Sequence, residues 1–89
     1  MKVRKHIYFS GRVQGVGFRY RSAYIAQSLG LTGWVKNLWD DRVEMELQGE
    51  EEVIREFLSR LKSQRFIAID RMEIEEQEVK KESGFEIVG

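Results

Sequence analysis

The residues best suited to chemistry lie in a glycine-rich stretch near the N-terminus, S-G-R-V-Q-G-V-G-F-R from Ser10 to Arg19. Glycines at positions 11, 15 and 17 permit left-handed turns and let a ligand approach the main chain closely. In such turns successive N–H groups can point inward and form a cradle for an anion. Arg19 lies at the start of a helix-like run, and the positive end of the helix dipole makes a cation there unfavourable by about 0.3–1 kcal/mol. An anion bound between Arg19 and the helix end would remove this repulsion. The stretch therefore predicts an anion-binding loop, although its glycines could also serve only a tight strand-to-helix turn.

The loop fits neither of the two common nucleotide-binding patterns. A Walker A loop needs Lys and then Ser or Thr after its last glycine, but Gly17 is followed by Phe18-Arg19-Tyr20. A dinucleotide fingerprint needs a third glycine, and Tyr20 stands in its place. What remains is a short series of main-chain donors that ends in the planar guanidinium of Arg19, which can bind two phosphate oxygens at once.

Asn37 is the second candidate, because it is the only asparagine of the chain and lies in a predicted strand, where asparagine is disfavoured. Its carboxamide can accept a hydrogen bond from a water molecule while it donates another. The alternative is a polar residue at a strand end that bonds to its own backbone. Lys36 directly precedes Asn37 in the predicted strand, where successive side chains point to opposite faces, so we expect it to face away from Asn37. His6 could act as a general base, but its place several residues before the loop favours a structural role in a strand.

Composition excludes several classes of site. The 89 residues are enough for one domain, residues 1–89, and contain no cysteine for a disulfide, a thiolate nucleophile or a sulfur-ligated metal. With a single histidine and no H-x-x-x-H or D-x-D spacing, the chain predicts no metal site and no cofactor. No apolar run approaches the roughly 20 residues of a membrane span, and the N-terminus has no signal-peptide core. We therefore expect a cytoplasmic protein that does not bind a membrane.

The formal net charge of zero hides an uneven distribution of charge. Residues 1–39 contain seven Lys or Arg and no Asp or Glu, whereas residues 40–89 contain eight basic and fifteen acidic residues. If the basic residues share one face with the glycine-rich loop, their field attracts small anions. The alternative is that the two halves interleave in one sheet and that their charges compensate.

The elements that would position Arg19 and Asn37 follow from the hydrophobic periodicity. A period of two predicts strands and a period near 3.6 predicts helices, in the order strand, helix, strand, strand, helix, strand. Two amphipathic helices must then cover one face of a mostly antiparallel sheet, which is the α+β ferredoxin-like βαββαβ sandwich, here with a short extra C-terminal strand. The predicted strands are Val3–Val13, Leu31–Trp39, Val43–Gly49, Phe66–Val79 with a bulge near Asp70-Arg71, and Phe85–Val88; the predicted helices are Tyr20–Leu29 and Glu50–Lys62; a tight hairpin is expected at Asp40-Asp41.

Together these segments resemble the acylphosphatase family. The matching motifs are G-R-V-Q-G-V-G-F-R from Gly11 to Arg19, L-G-L-T-G-W-V-K-N from Leu29 to Asn37, V-E at Val43-Glu44 and Q-G at Gln48-Gly49. The resemblance implies metal-independent hydrolysis of the carboxyl–phosphate bond of acyl phosphates to a carboxylate and inorganic phosphate, by a monomer with no cofactor. It further implies that Arg19 and the loop residues Gln14, Gly15, Val16, Gly17 and Phe18 bind the phosphate, that Asn37 orients the attacking water, and that the water's proton passes to a phosphate oxygen.

Some positions depart from the family pattern. Lys36 replaces a usual arginine, Asp41 replaces a usual glycine in the hairpin, and residues 63–66 replace a stretch that typically carries Gly-Pro. A left-handed turn at Asp41 costs about 1 kcal/mol because of its Cβ.

Two other functions remain open on the sequence. An RNA-binding domain can have the same element order, but its third strand carries exposed aromatic residues, whereas the polar face here has Glu44, Glu46 and Gln48. We therefore expect no nucleic-acid binding. The other alternative is a small-molecule regulatory module of the same fold, or an acylphosphatase relative that binds anions without turnover. The combination of Arg19 with Asn37 favours an enzyme.

Overall fold

The computed structural model describes all residues from Met1 to Gly89 and contains seven elements. Their order confirms the predicted strand and helix sequence, including the short final strand. No element boundary differs from its prediction by more than two residues; the fourth strand, for example, begins at Ala68 rather than Phe66 because residues 63–67 form turns. The elements are β1 (Lys2–Arg12), α1 (Phe18–Ser28), β2 (Thr32–Asn37), β3 (Val43–Glu50), α2 (Glu51–Lys62), β4 (Ala68–Gln77) and β5 (Phe85–Ile87).

The strands form one five-stranded sheet in the order β4-β1-β3-β2-β5. All neighbouring pairs are antiparallel except β2 and β5, which are parallel. The parallel pair is extended beyond β5 by Val88 N, which donates to Val35 O at 2.9 Å. The three inner strands, β1, β3 and β2, are thus paired on both sides, and β4 and β5 form the edges.

A bulge interrupts the pairing of β1 with β4, as the sequence predicts. Ser10 pairs with Arg71 and the next residue, Gly11, pairs with Ile69, so Asp70 has no partner in the ladder. Gly11 has a φ of +123°, and a Cβ there would come within 2.3 Å of Ala68 O. The bulge therefore bends the sheet just before β1 enters the glycine-rich loop, and it requires a glycine.

The hydrophobic core lies between the two helices and one face of the sheet. The apolar residues at odd positions in and just after β1, which strand alternation predicts to face inward, are all buried: Val3, Ile7, Phe9 and Val13. Tyr24 has the helical spacing of the core residues Ala23 and Ala26, but it is 75% exposed. Neither helix is both long enough and apolar enough to cross a membrane.

The opposite face of the sheet carries a polar network centred on Arg4. Strand parity predicts Arg4 on the solvent side, but its side chain is fully buried, because the segment between β4 and β5 packs on this face. Arg4 Nε donates to Glu46 at 2.6 Å, and its two terminal nitrogens donate to Glu82 at 2.7 and 3.2 Å. Gln48 holds the same segment by donating to Lys80 O at 2.7 Å and accepting from Lys80 N at 2.8 Å.

The two carboxylates of this network are kept ionised by their partners. Burial alone would raise the pKa of Glu46, but hydrogen bonds from His6 and Arg4 bring it below its ordinary value. The hydrogen bond from Arg4 lowers the pKa of Glu82 against a smaller opposing effect of burial. Folding therefore favours the charged form of both side chains.

Candidate active site

The loop between β1 and α1 is built around two left-handed glycines. Gly15 has a φ of +74° and Gly17 a φ of +79°. No protein atom lies within 4 Å of a Cβ placed on Gly15, and the nearest to one on Gly17 is Arg21 Nε at 3.7 Å. The backbone conformation, rather than crowding, thus requires glycine at these two positions.

Gly17 is the N-cap of α1, and the helix has no other cap. No side chain bonds to the first amides, and the first turn contains no acidic residue. The first helical bond runs from Arg21 N to Gly17 O at 3.0 Å, so the amides of Phe18, Arg19 and Tyr20 have no acceptor within the helix. Free N–H groups and the positive end of the helix dipole together favour an anion at this place.

Gln14 ties the loop to the turn that follows β2. Its side-chain nitrogen donates to Leu38 O at 2.8 Å and to Arg42 O at 2.9 Å, and Leu38 N in turn donates to Arg42 O at 2.8 Å. The turn between them contains Asp41, whose φ of +72° is the left-handed value expected where glycine is usual. The glycine-rich loop and the end of the strand that carries Asn37 are therefore held together by one side chain.

Asn37 is the last residue of β2 and pairs with Val43 of β3. Its side-chain oxygen, Oδ1, is buried and accepts no hydrogen bond from the protein. An unsatisfied buried acceptor costs about 1–3 kcal/mol, so the position is unfavourable unless a bound molecule donates to it. The alternative in which Asn37 only bonds to its own backbone is not what the structure shows.

Asn37 and the loop line one small cavity of about 90 Å³. Arg19 projects into it from the first turn of α1, so the two residues singled out in the sequence are brought together. Gln14 and Val16 do not line the cavity: Gln14 is the tether just described, and Val16 packs against the core. The cavity is lined by Val13, Gly15, Gly17, Phe18, Arg19, Tyr20 and Asn37.

The guanidinium of Arg19 is oriented by the far end of the chain. One of its terminal nitrogens donates to the main-chain oxygen of Gly89 at 3.2 Å. No pattern in the sequence indicates this contact, which joins residues 70 positions apart. Tyr20 was also missed as a lining residue, although its place beside Arg19 in the first helical turn could have suggested it.

Several charges of the basic half of the chain are paired with acidic residues, whereas the arginines around the loop are not. Arg4, Lys5 and Lys36 all form salt bridges with glutamates of later strands or helices. No salt bridge involves Arg12, Arg19 or Arg21, nor Arg65 of the segment after α2. Both alternatives raised by the charge distribution therefore hold in part: most charges compensate, and the uncompensated arginines include the one in the cavity.

The remaining candidates lie elsewhere. His6 is a residue of β1 and bonds to Glu46 at 2.6 Å and to Glu44 at 2.8 Å on the polar face of the sheet. Lys36 lies on that face too, with its nitrogen 3.7 Å from Glu44 and 6.0 Å from the centre of the Trp34 ring. Neither lines the cavity.

The family model, the curated relatives and two of the solved structures point to the same family. A family model described as Acylphosphatase matches residues 5–87. The acylphosphatase of Trichormus variabilis is 50% identical over 56 residues, which are 63% of this chain and 55% of that protein. The acylphosphatase of Geobacillus thermodenitrificans is 46% identical over 78 residues, covering 86% of this chain and 83% of that protein. The crystal structure of acylphosphatase from Bacillus subtilis superposes with a TM-score of 0.91 at 35% identity and covers 98% of this chain and 99% of that one.

Proposed function

Because the chain belongs to the acylphosphatase family, whose members act on small-molecule acyl phosphates, we propose that it hydrolyses such substrates with Arg19 and Asn37 as its catalytic residues. The observation that carries this assignment is the buried, unpartnered Oδ1 of Asn37 in a cavity shared with Arg19 and two loop glycines. The main-chain amides of Gly15, Gly17 and Phe18, which line the cavity, complete the proposed phosphate site, and Gln14 and Val16 contribute to it by holding the loop in shape.

Arg19 and the amides stabilise the phosphoryl group. Its three outer oxygens carry the charge of the transition state, and preorganised donors in a small cavity are most effective against such charge. The planar guanidinium can bind two of these oxygens, while the amides at the start of α1 approach the others. A carboxylate is a good leaving group, so this site needs no strong acid.

Asn37 holds the attacking water by accepting a hydrogen bond from it. The water oxygen forms a bond to phosphorus as the bond between phosphorus and the acyl oxygen breaks, and the carboxylate leaves with that electron pair. No side chain that titrates near neutral pH lines the cavity. The water's proton therefore passes to a phosphoryl oxygen of the substrate.

The proposed reaction uses neither a metal nor a cofactor. The structure places no three His, Asp or Glu side chains where they could hold a metal ion together. A turnover assay with benzoyl phosphate in excess chelator tests this: the rate should stay the same, and a loss that Mg²⁺ restores would contradict the proposal.

We also propose that residues 1–89 act as one monomeric domain in the cytoplasm and bind neither nucleic acid nor a membrane. In support, Glu44 and Glu46 on the face that RNA-binding domains of similar topology use are engaged with His6 and Arg4. Light scattering after gel filtration tests the monomer, and cell fractionation tests the compartment.

Two variants test the division of roles. Arg19→Gln should lower kcat/KM for benzoyl phosphate at least about 10³-fold and weaken binding of inorganic phosphate. Asn37→Ala should lower kcat about 10²-fold and leave phosphate binding nearly unchanged, because it removes only the water's partner.

Arg12→Gln is the matched control, since Arg12 is an exposed arginine of the same charged region that does not line the cavity. Calorimetric titration with inorganic phosphate gives the affinities. An equal loss of phosphate affinity in the Arg19 and Asn37 variants would show that the roles are assigned wrongly.

A further inference from the structure

A second, larger cavity adjoins the proposed active site. It is a groove of about 410 Å³ between α1 and the end of α2. Tyr20 and Tyr24 lie one helical turn apart on α1 and form one wall, with side chains 72% and 75% exposed. Arg60 and Gln64 lie on the opposite side. Two exposed aromatic side chains next to each other form an apolar patch, and such patches on a protein surface often contact a ligand or partner.

The groove and the catalytic cavity are neighbours on the surface, because Tyr20 lines both of them. Arg21, another groove residue, lies beside the loop, with its Nε 3.7 Å from where a Cβ of Gly17 would be. A substrate bound by Arg19 through its phosphate can therefore extend past Tyr20 into the groove.

Arg21 provides a free positive charge in this groove. One of its terminal nitrogens donates to Gln64 Oε1 at 3.0 Å, which holds the side chain in place without neutralising it. The other arginine of the groove, Arg60, is already paired with Glu56 of its own helix. The planar fork of an unpaired arginine matches the geometry of a carboxylate.

We propose that this groove binds the acyl portion of the substrate and that Arg21 recognises a carboxylate at its far end. The favoured substrates are then acyl phosphates whose acyl group has an apolar or aromatic stem, packed against Tyr20 and Tyr24, and a second carboxylate. Arg21 is a specificity-determining residue and takes no part in bond cleavage. The inference rests on the proposed function, because it assumes that the phosphate lies at Arg19.

A pair of stable analogues isolates this effect. Benzylphosphonate and 4-carboxybenzylphosphonate differ only in the carboxylate, and neither can be hydrolysed. For an exposed arginine we expect the carboxylated analogue to bind the wild-type protein about three- to fivefold more tightly. The preference should fall towards one in 1 M salt, where the screening length is about 3 Å.

Arg21→Gln should abolish this preference, because it removes the charge and retains a side chain that can bond to Gln64. Arg12→Gln removes the same charge from a residue that lines neither cavity, and it should keep the preference within about twofold. Tyr24→Ser should weaken both phosphonates relative to inorganic phosphate, which does not reach the groove. Calorimetric titration measures all of these affinities, and kcat/KM for benzoyl and 4-carboxybenzoyl phosphate should give the same ratio.

Several results would overturn the inference. These are equal affinity of the wild-type protein for the two phosphonates, an Arg21→Gln variant that keeps the preference, or an equal loss in the Arg12 and Arg21 variants. If Arg21→Gln weakens both phosphonates and inorganic phosphate alike, Arg21 contacts the phosphate and the groove has no acyl role. Failure of the proposed function appears differently, as an absence of benzoyl phosphate hydrolysis by the wild-type protein.

Discussion

Replacing Arg4 by methionine tests how much the buried polar network contributes to the free energy of unfolding. The side chain is fully buried, and it donates to Glu46, Gln48 and Glu82 through all three of its nitrogens. Methionine fills a similar length without any donor. The two glutamates then remain largely covered, with side chains only 10% and 21% exposed, and lose their main cationic partner.

The expected loss is about 3–5 kcal/mol, which is typical when one partner of a buried ion pair is removed. For a domain of this size the whole free energy of unfolding is about 4–13 kcal/mol. The Arg4→Met variant therefore loses a large share of its free energy of unfolding. Glu82→Gln is the milder change: it weakens the fork to Glu82, leaves Arg4 bonded to Glu46, and should cost about 1–2 kcal/mol.

Urea denaturation between pH 7 and pH 3 measures the loss in free energy of unfolding and tests whether the loss comes from the two glutamates. The pKa values of Glu46 and Glu82 are lower in the folded protein, so the unfolded chain binds more protons in acid. Their stabilisation is complete above the unfolded pKa of about 4.3 and disappears as the pH falls through the folded values. The difference between wild type and the Arg4 variant should thus be constant near neutrality and shrink below about pH 4.3.

A loss below about 1 kcal/mol, or one that does not change down to pH 3, would refute this reasoning. Arg55→Met is the control, because Arg55 is exposed and its contact with Glu51 spans 3.9 Å. Removing that pair should change the free energy of unfolding by no more than about 0.5 kcal/mol.

Three further substitutions have definite expected outcomes. Ser22→Ala should raise the free energy of unfolding by about 1 kcal/mol in urea denaturation, because the buried hydroxyl has no hydrogen-bond partner; a decrease would contradict this. Gly33→Ala should lower it by about 3 kcal/mol or more, since the new Cβ would lie 1.9 Å from Glu46 O; an unchanged melting temperature would show that the sheet yields easily. Gln14→Ala should lower kcat/KM about tenfold by releasing the loop from the turn after Asn37, and full activity would show that the tether is dispensable.

Much of the architecture follows from local patterns. The alternation of Val43, Met45 and Leu47 with polar residues identifies β3, because one face of that strand is buried against the helices. Before Asp70 the apolar residues of the fourth strand are at odd positions, Ile67 and Ile69, and after it they are at even positions. This change identifies the bulge. The loop glycines could be singled out because they permit left-handed turns between a strand and a helix. Asn37 could be singled out because asparagine is disfavoured in a strand.

Other features depend on contacts between distant segments, which no local pattern records. Arg4 has the parity of an exposed residue, and only the return of residues 78–84 across the sheet buries it. The parallel placement of β5 beside β2 and the contact of Gly89 with Arg19 follow from that same return. Tyr24 shows the opposite case: its helical spacing is typical of a core residue, but it lies in the groove beside the candidate active site.

The two edges of the sheet limit self-association in different ways. β4 leaves one side of its main chain unpaired over ten residues, a template onto which a strand of another molecule could add. Its exposed side chains include Arg71, Glu73, Glu75 and Glu76, which would be brought against the same charges of a second copy in a parallel, in-register arrangement. β5 has only three residues and offers little main chain to a partner. Charge at the long edge and shortness at the other thus protect a sheet with two open sides from growing into a fibril.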